Sequence, residues 1–321
     1  MLPSGRPRRI WSRPLRAAAL LAALAVTATA CGGSSGGSST STSKGKITVG
    51  SSDQVESQII ASAYAQALKK AGYDVKEKSR IGTREVYVKT LETGEIDVIP
   101  EYAATLAEYF NAKFNGPDAP TNHPVASGDV AKTYQNLDGL AGRDKLVVTS
   151  ASKAADQNAF AVTKSFADQH SLATMSDLAK LNGQLVLGAG ADCPKRQFCL
   201  VGLQSVYGLK FKDFKAFSTG GDSEPLYGAL KDGTIQVGLV YSSSGLVAKE
   251  NVVVLQDDKH LQAADNILAL LRQSVPAEAQ NIINNVNQAL TTEKLRELNG
   301  KADTEDPSDL AKQFLQDAHL I

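Results

Sequence analysis

The sequence is poor in the residues that build catalytic and metal centres. Among 321 residues there are four histidines and three cysteines, and the histidines are scattered without the spacing of a metal-ligand pattern. The sequence also has no nucleophile elbow and no phosphate-binding glycine loop. We therefore predict a protein that is not an enzyme and that carries no metal and no cofactor.

Long hydrophobic runs are equally scarce. The apolar run at residues 17–30 follows five arginines and is short for a membrane span. A basic segment followed by such a run is typical of a signal peptide, which we predict over residues 1–30. Its removal leaves 29 basic side chains against 34 acidic ones. This mildly acidic balance does not favour nucleic acid as a partner.

Small residues and a cysteine end the apolar run, in the order Ala-Thr-Ala-Cys-Gly. This order resembles a bacterial lipobox, in which Cys31 is lipidated and becomes the mature N-terminus. Ordinary cleavage after Ala30 is the alternative. Residues 31–45 are rich in glycine and serine and suit a flexible tether between a lipid and a folded body. We predict export and anchorage to the outer face of the bacterial cell membrane, or a periplasmic location.

The two remaining cysteines, Cys193 and Cys199, form an even pair in a short segment. In an oxidising compartment such a pair predicts a disulfide that closes a small loop. A metal site is the alternative, but the spacing is unsuitable and no histidine lies nearby.

Strand and helix patterns alternate along the chain. A strand pattern at residues 46–52 precedes helical spacing of apolar residues over 56–71, and Gly72 ends that helix. A second strand, a helix ending at Gly94 and a third strand ending at Tyr102 follow. The same alternation recurs later, and the C-terminal tail is helical. This order predicts an α/β fold with mostly parallel sheets covered by helices.

One helix–glycine–strand pattern occurs twice, at residues 91–102 and 230–241, and ends each time in a tyrosine. Ligands of open α/β sheets bind outside the carboxyl ends of the strands. Tyr102 and Tyr241 are therefore expected to form two walls of one cleft. The alternative is that each tyrosine merely caps its own sheet.

Several short segments between residues 50 and 244 match one known pattern in their order and spacing. They are Gly50-Ser51, Ile81–Val86, Gly94–Thr105, Tyr207–Lys215, Leu226–Leu230 and Val240–Ser244. Together they resemble the osmoprotectant-binding family, the substrate-binding proteins of ABC importers for glycine betaine, choline and related quaternary amines. The resemblance extends from about Lys46 to the C-terminus.

The resemblance implies a two-lobed periplasmic-binding-protein fold of type II, in which the chain crosses the hinge twice. The crossings are expected near residues 149–152 and 243–245. Lobe I would then comprise residues 46–149 plus 245–321, and lobe II residues 150–244. The implied partners are a small-molecule ligand and an ABC permease with its ATPase, and we expect a monomer.

The resemblance also implies the residues of the ligand site. A quaternary ammonium has no N–H, so aromatic rings must hold it, at about 0.5–2 kcal/mol per ring. A ligand carboxylate requires arginine, hydroxyl or backbone N–H donors. The positions that match the family motifs are Tyr102, Tyr227 and Tyr241 for the rings, Thr105 and Arg196 for the carboxylate, and Asp156 for the cation.

The sequence departs from the family pattern in several places, including the motifs that read EYAAT at residues 101–105 and VYSSS at residues 240–244, and two departures change expected ligand contacts. Asn158 stands where a fourth ring is expected, and Ser52 replaces a lysine that helps to hold the carboxylate in some members. Glycine betaine, choline, carnitine and bulkier betaines all stay open as ligands. Because Asn158 both donates and accepts hydrogen bonds, a hydroxyl-rich ligand without a quaternary ammonium is a further alternative. The same fold could also serve a sensor instead of an importer.

Overall fold

The computed structural model describes residues 43–217 and 222–321. The predicted signal peptide, the lipidation site Cys31 and most of the predicted tether lie outside the described residues. Among the helices that are described, none is both long enough and apolar enough to cross a membrane.

The strands of the described residues form two five-stranded sheets. The strands are Lys46–Gly50 (β1), Asp74–Lys78 (β2), Val98–Tyr102 (β3), Leu146–Val148 (β4), Asn158–Thr163 (β5), Val186–Gly190 (β6), Asp213–Phe217 (β7), Val237–Tyr241 (β8), Val252–Val254 (β9) and Ile267–Arg272 (β10). Their order is β2-β1-β3-β10-β4 in the first sheet and β7-β6-β8-β5-β9 in the second. Each sheet is the centre of one lobe.

Both sheets are mixed, although the strand order along the sequence predicted mostly parallel ones. Strand β1 is parallel to β2 and β3, and β6 is parallel to β7 and β8. Strand β10 is antiparallel to both of its neighbours, and so is β5. Strands β5 and β10 are the two strands that directly follow a crossing of the chain from one lobe to the other. They therefore run away from the lobe boundary, whereas their neighbours run towards it.

Helices cover the sheets on both faces. They are Val55–Lys70 (α1), Arg84–Thr93 (α2), Ala103–Asn115 (α3), Ala119–Asn122 (α4), Val130–Arg143 (α5), Lys164–His170 (α6), Leu200–Ser205 (α7), Glu224–Lys231 (α8), Gly245–Lys249 (α9), Ala277–Ala289 (α10), Thr292–Lys301 (α11) and Pro307–Asp317 (α12), with 3₁₀ turns at Met175–Leu181 and Cys193–Lys195. Alternate residues of β10 show the layering. Ile267 and Ala269 pack with α1 and α10–α12, whereas Leu268 and Leu270 pack with α2, α3 and α5.

The repeated helix–glycine–strand pattern forms as predicted. Helix α2 ends at Gly94 and α8 is followed by Gly233, and both glycines have positive φ, at 79° and 76°. Each glycine N–H donates to the carbonyl of the leucine three residues before it, which is buried. This turn leads the chain from the helix into the sheet. Tyr102 and Tyr241 consequently occupy the carboxyl ends of β3 and β8.

Two paired segments connect the lobes. Ala155 and Asn266 form an antiparallel bridge, and the N–H of Asp156 donates to the carbonyl of Asp265 at 3.1 Å. The predicted second crossing at residues 243–245 is wrong, because β9 still pairs with β5 in the second sheet. The chain rejoins the first sheet only at β10. The strand pattern of residues 252–254 was visible in the sequence, but nothing in it indicates which sheet it joins.

Candidate functional site

A cavity of about 1020 Å³ is lined by residues of both lobes. Tyr102 and Thr105 line it from the first lobe, and Asn158 and Tyr241 line it from the second. The two tyrosines come from equivalent strand ends, so the carboxyl edges of both sheets contribute to one space. Its volume is at the upper end of the range of small-molecule sites.

Tyr102 is tied to a buried acid at the start of α1. Its hydroxyl donates to Oε1 of Glu56 at 2.7 Å, and Nδ2 of Asn299 donates to Oε2 of the same carboxylate at 2.5 Å. Burial raises the pKa of Glu56 to about 7, and the charge of Asp156 adds to the rise. The hydrogen bonds from Asn299, Tyr102 and Ser243 oppose it.

An arginine also lines the cavity from the first lobe, but its guanidinium is already paired with an acid. Nε and Nη2 of Arg84 each donate to the carboxylate of Glu101 at 2.8 Å, and Nη2 also donates to the hydroxyl of Thr105 at 2.9 Å. Glu101 is fully buried and accepts a further hydrogen bond from the hydroxyl of Tyr87. The arginine and its acid therefore compensate each other in a bidentate pair.

Two aspartates from the paired crossing segments complete the polar lining. Oδ1 of Asp265 accepts from the N–H of Thr105 at 2.9 Å, and Oδ1 of Asp156 accepts from the hydroxyl of Ser243 at 2.7 Å. Burial raises the pKa of Asp265 to about 7, while the N–H of Thr105 and the charge of Arg84 oppose the rise. Burial also raises the pKa of Asp156. Both acids lie where the chain passes between lobes.

The second lobe contributes a pair of residues on neighbouring strands. Asn158 and Tyr241 are direct partners in the antiparallel pairing of β5 with β8. Tyr241 is 46% exposed and Phe198 is 39% exposed, and both line the cavity. Two accessible aromatic side chains therefore lie on this side, opposite Tyr102.

Two of the expected site residues do not line the cavity. Tyr227 is 1% exposed in the core of the second lobe, and its hydroxyl donates to Asp222 at 2.7 Å. Arg196 has a 69% exposed side chain that pairs with Asp192 at 2.5 Å. A motif match gives the position of a residue in the chain, but not the direction in which a helix or loop presents it.

The disulfide predicted from the cysteine pair is confirmed. Cys193 and Cys199 are bonded, with their Cα atoms 5.2 Å apart. The loop that they close carries Arg196 and Phe198. Of these two residues, the one that lines the cavity is Phe198, which no sequence motif indicated.

Several lining residues were missed for identifiable reasons. Arg84 lies in the segment Ile81–Val86, which supported the family resemblance, so a signal was present. Glu56 lies in the first turn of α1, where an acid also complements the helix dipole, so the sequence does not distinguish a dipole role from a site role. Asp265 gave no signal beyond its place before a strand, because its role depends on how two distant chain segments pair.

The mixed sheets, the double crossing and the cavity between lobes define a two-lobed substrate-binding protein of the type II periplasmic-binding-protein fold. The family model of the substrate binding domain of the ABC-type glycine betaine transport system matches residues 45–317. The chain belongs to this family. The resemblance stated from the sequence is thereby confirmed, as is the α/β fold class.

Characterised relatives agree with this assignment. The chain is similar to the carnitine transport binding protein OpuCC of Listeria monocytogenes, with 25% identity over 284 residues, covering 85% of this chain and 87% of the relative. It is also similar to the glycine betaine-binding protein YehZ of Escherichia coli (strain K12), with 23% identity over 282 residues, covering 84% and 90%.

Solved structures share the fold. Apo YehZ from Escherichia coli superposes with a TM-score of 0.75 at 22% identity, covering 86% of this chain and 99% of that one. A structure described as a glycine betaine/carnitine/choline ABC transporter gives a TM-score of 0.74 at 22% identity, covering 86% and 98%. At these identities the likeness establishes the architecture alone.

Proposed function

We propose that this protein is the extracytoplasmic, lipid-anchored substrate-binding subunit of an ABC importer. It captures a small osmoprotectant with a quaternary ammonium group, of the glycine betaine, carnitine or choline kind, and delivers it to a membrane permease driven by an ATPase. The observation that carries the proposal is the cavity between the lobes, which Tyr102 and Tyr241 line from equivalent strand ends.

The aromatic residues suit such a ligand. An alkylated ammonium group offers no N–H, so it gains little from hydrogen-bond acceptors and much from the faces of aromatic rings. Tyr102 from one lobe and Tyr241 and Phe198 from the other supply three such side chains around one space. The names of the curated relatives, which bind carnitine and glycine betaine, support the same ligand class.

Capture is coupled to closure of the lobes. A ligand that contacts both lobes stabilises the arrangement in which all contacts form together, and so shifts the population towards the closed state. The two paired crossing segments beside the cavity provide the hinge for this movement. The closed form is the one that docks on the permease.

Isothermal titration calorimetry of the purified protein with glycine betaine, carnitine, choline and a neutral polyol tests the proposal. Binding of at least one quaternary amine, accompanied by a higher unfolding temperature, is expected. At one hundred times its dissociation constant the ligand should add about 2.7 kcal/mol of stability. Binding of the polyol alone would show that the fold serves a hydroxyl-rich solute and would overturn the proposal.

A further inference from the structure

The charges around the cavity are strongly unequal. Among the described residues that line it, one is basic, Arg84, and five are acidic: Asp53, Glu56, Glu108, Asp156 and Asp265. Residues 218–221, which the structure does not describe, are Ser-Thr-Gly-Gly and add no charge. The lining therefore carries an excess of negative charge.

The one lining arginine does not offset this excess. Its Nε and Nη2 both donate to the carboxylate of Glu101 at 2.8 Å. Glu101 is a further acid, which is not among the residues that line the cavity. No ion pair in the described part of the chain includes Glu56, Asp156 or Asp265. Glu56 and Asp265 are only 6% and 8% exposed. Buried carboxylates without a counter-charge are costly, and a cation between them would remove part of that cost.

The groups expected to hold a ligand carboxylate are already in use. Arg196 pairs with Asp192 outside the cavity lining. The backbone N–H of Thr105 donates to Asp265 at 2.9 Å, and its hydroxyl accepts from Arg84 and lies 3.4 Å from the same aspartate. A ligand carboxylate placed beside Thr105 would meet the carboxylate of Asp265, to which the backbone N–H already donates.

We propose that the cavity selects small organic cations that carry no carboxylate, such as choline, over zwitterions such as glycine betaine and carnitine. This inference rests on the proposed function and narrows its ligand class. Glu56, Asp156 and Asp265 supply the negative charge, and Tyr102, Tyr241 and Phe198 supply the aromatic contacts for the alkylated head.

A metal cation does not fit the same acids. No group of three or more histidine, cysteine, aspartate or glutamate side chains within residues 43–217 and 222–321 has the arrangement of a metal site. The acids instead surround a space of about 1020 Å³ that aromatic side chains share. An organic cation with spread charge can interact with several separated carboxylates at once. Burial raises the pKa of Glu56, Asp156 and Asp265, and a neighbouring carboxylate adds to each rise.

Choline and glycine betaine form a matched pair of probes, because both carry a trimethylammonium head. Choline has a hydroxymethyl group at the position where glycine betaine has a carboxylate. Calorimetry of the purified protein at pH 8 should give at least tenfold tighter binding of choline. Equal or tighter binding of glycine betaine would overturn the selectivity and leave the proposed function intact. Binding of neither would overturn the selectivity, and a failure of carnitine to bind as well would overturn the proposed function.

Substitutions of the acids test whether their negative charge causes the selectivity. Asp265→Asn keeps the acceptor for the N–H of Thr105 and removes one negative charge, so the choline-to-betaine affinity ratio should fall at least fivefold. Glu56→Gln should lower the ratio in the same direction. Asp138→Asn removes one charge from the exposed face of α5, outside the lining, and should leave the ratio unchanged. An equal fall in all three variants would indicate overall charge and contradict the assignment.

Discussion

Tyr102 combines two interactions at the scale of a single residue. It lines the cavity, and its hydroxyl donates to Glu56, which is itself held by Asn299. The side chain can therefore present its ring to a cation while its hydroxyl fixes the position of a carboxylate. Tyr241, at the end of β8, is 46% exposed, and no residue in the described part of the chain holds its hydroxyl in the same way.

Substitution of Tyr102 separates these interactions. Tyr102→Ala should weaken ligand binding by about 2- to 30-fold, the value of one desolvated ring. Tyr102→Phe keeps the ring and should lose less. Tyr227→Phe is the control, because Tyr227 is buried outside the lining and its change should affect stability instead of affinity. Titration calorimetry measures these three variants together with Tyr241→Ala. Unchanged affinity in both Tyr102→Ala and Tyr241→Ala would show that the ligand binds elsewhere.

Asp265 should make the stability of the unliganded protein depend on pH. Its pKa rises from an ordinary value of 3.8 to about 7 in the folded protein, chiefly because it is buried. Ionisation therefore destabilises the fold: the cost is absent below pH 4, grows between pH 4 and 7, and is complete above pH 7.

Asp265→Asn should consequently be more stable than the wild type at pH 8, by on the order of 1–4 kcal/mol, and nearly equal to it at pH 4. Denaturant unfolding of the ligand-free proteins at both pH values measures the difference. Asp138→Asn, on an exposed helix face, should show no such dependence. A constant difference between wild type and Asp265→Asn across the range would contradict the raised pKa.

The identity of the cavity residues was only partly predictable from the sequence, for a physical reason. Tyr102 and Tyr241 follow from strand direction, since a strand end faces the sheet edge whatever packs around it. Tyr227 depends on the rotation of α8, which buries it instead. Asp265 depends on the pairing of segments that are about 110 residues apart in the chain. Local sequence patterns indicate the direction of a strand. They do not indicate how a helix is rotated or which distant segments pair.

At the scale of elements, the repeated turn between helix and strand sets where both tyrosines lie. Gly94 and Gly233 adopt positive φ, which a residue with a Cβ enters at a cost of about 1–2 kcal/mol. A Cβ at Gly94 would also lie 3.1 Å from the guanidinium of Arg272. Each turn is local in sequence, so it could be predicted, whereas the placement of β9 in the second sheet could not.

Gly94→Ala and Gly233→Ala should each lower the free energy of unfolding by about 1–2 kcal/mol. Gly139→Ala is the matched control, and its expected effect on the free energy of unfolding has the opposite sign. Gly139 lies inside α5 with open space around its Cβ position, so alanine should stabilise the helix by up to about 1 kcal/mol. Denaturant midpoints measure the three changes. A stabilising effect of Gly94→Ala would show that the turn is not the one described.

At the scale of the whole molecule, binding and anchoring belong to different parts of the chain. The family match begins at residue 45, and the residues proposed to bind the ligand all lie after it. The proposed lipid attachment at Cys31 and the glycine- and serine-rich tether precede it.

Cys31→Ser should therefore abolish membrane anchorage without changing ligand affinity. A protein whose thiol is lipidated partitions into a detergent phase and incorporates labelled fatty acid in its bacterial host, and the variant should do neither. Calorimetry of the released variant should give the same dissociation constant as the anchored protein, because the described residues that line the cavity all follow Cys31 in the chain. Cys193→Ser with Cys199→Ser is the control, since it removes the disulfide and leaves the proposed lipidation site Cys31 in place. If the Cys31→Ser protein still partitions with the membrane, the anchor lies in the uncleaved apolar segment at residues 17–30 instead of in a lipid.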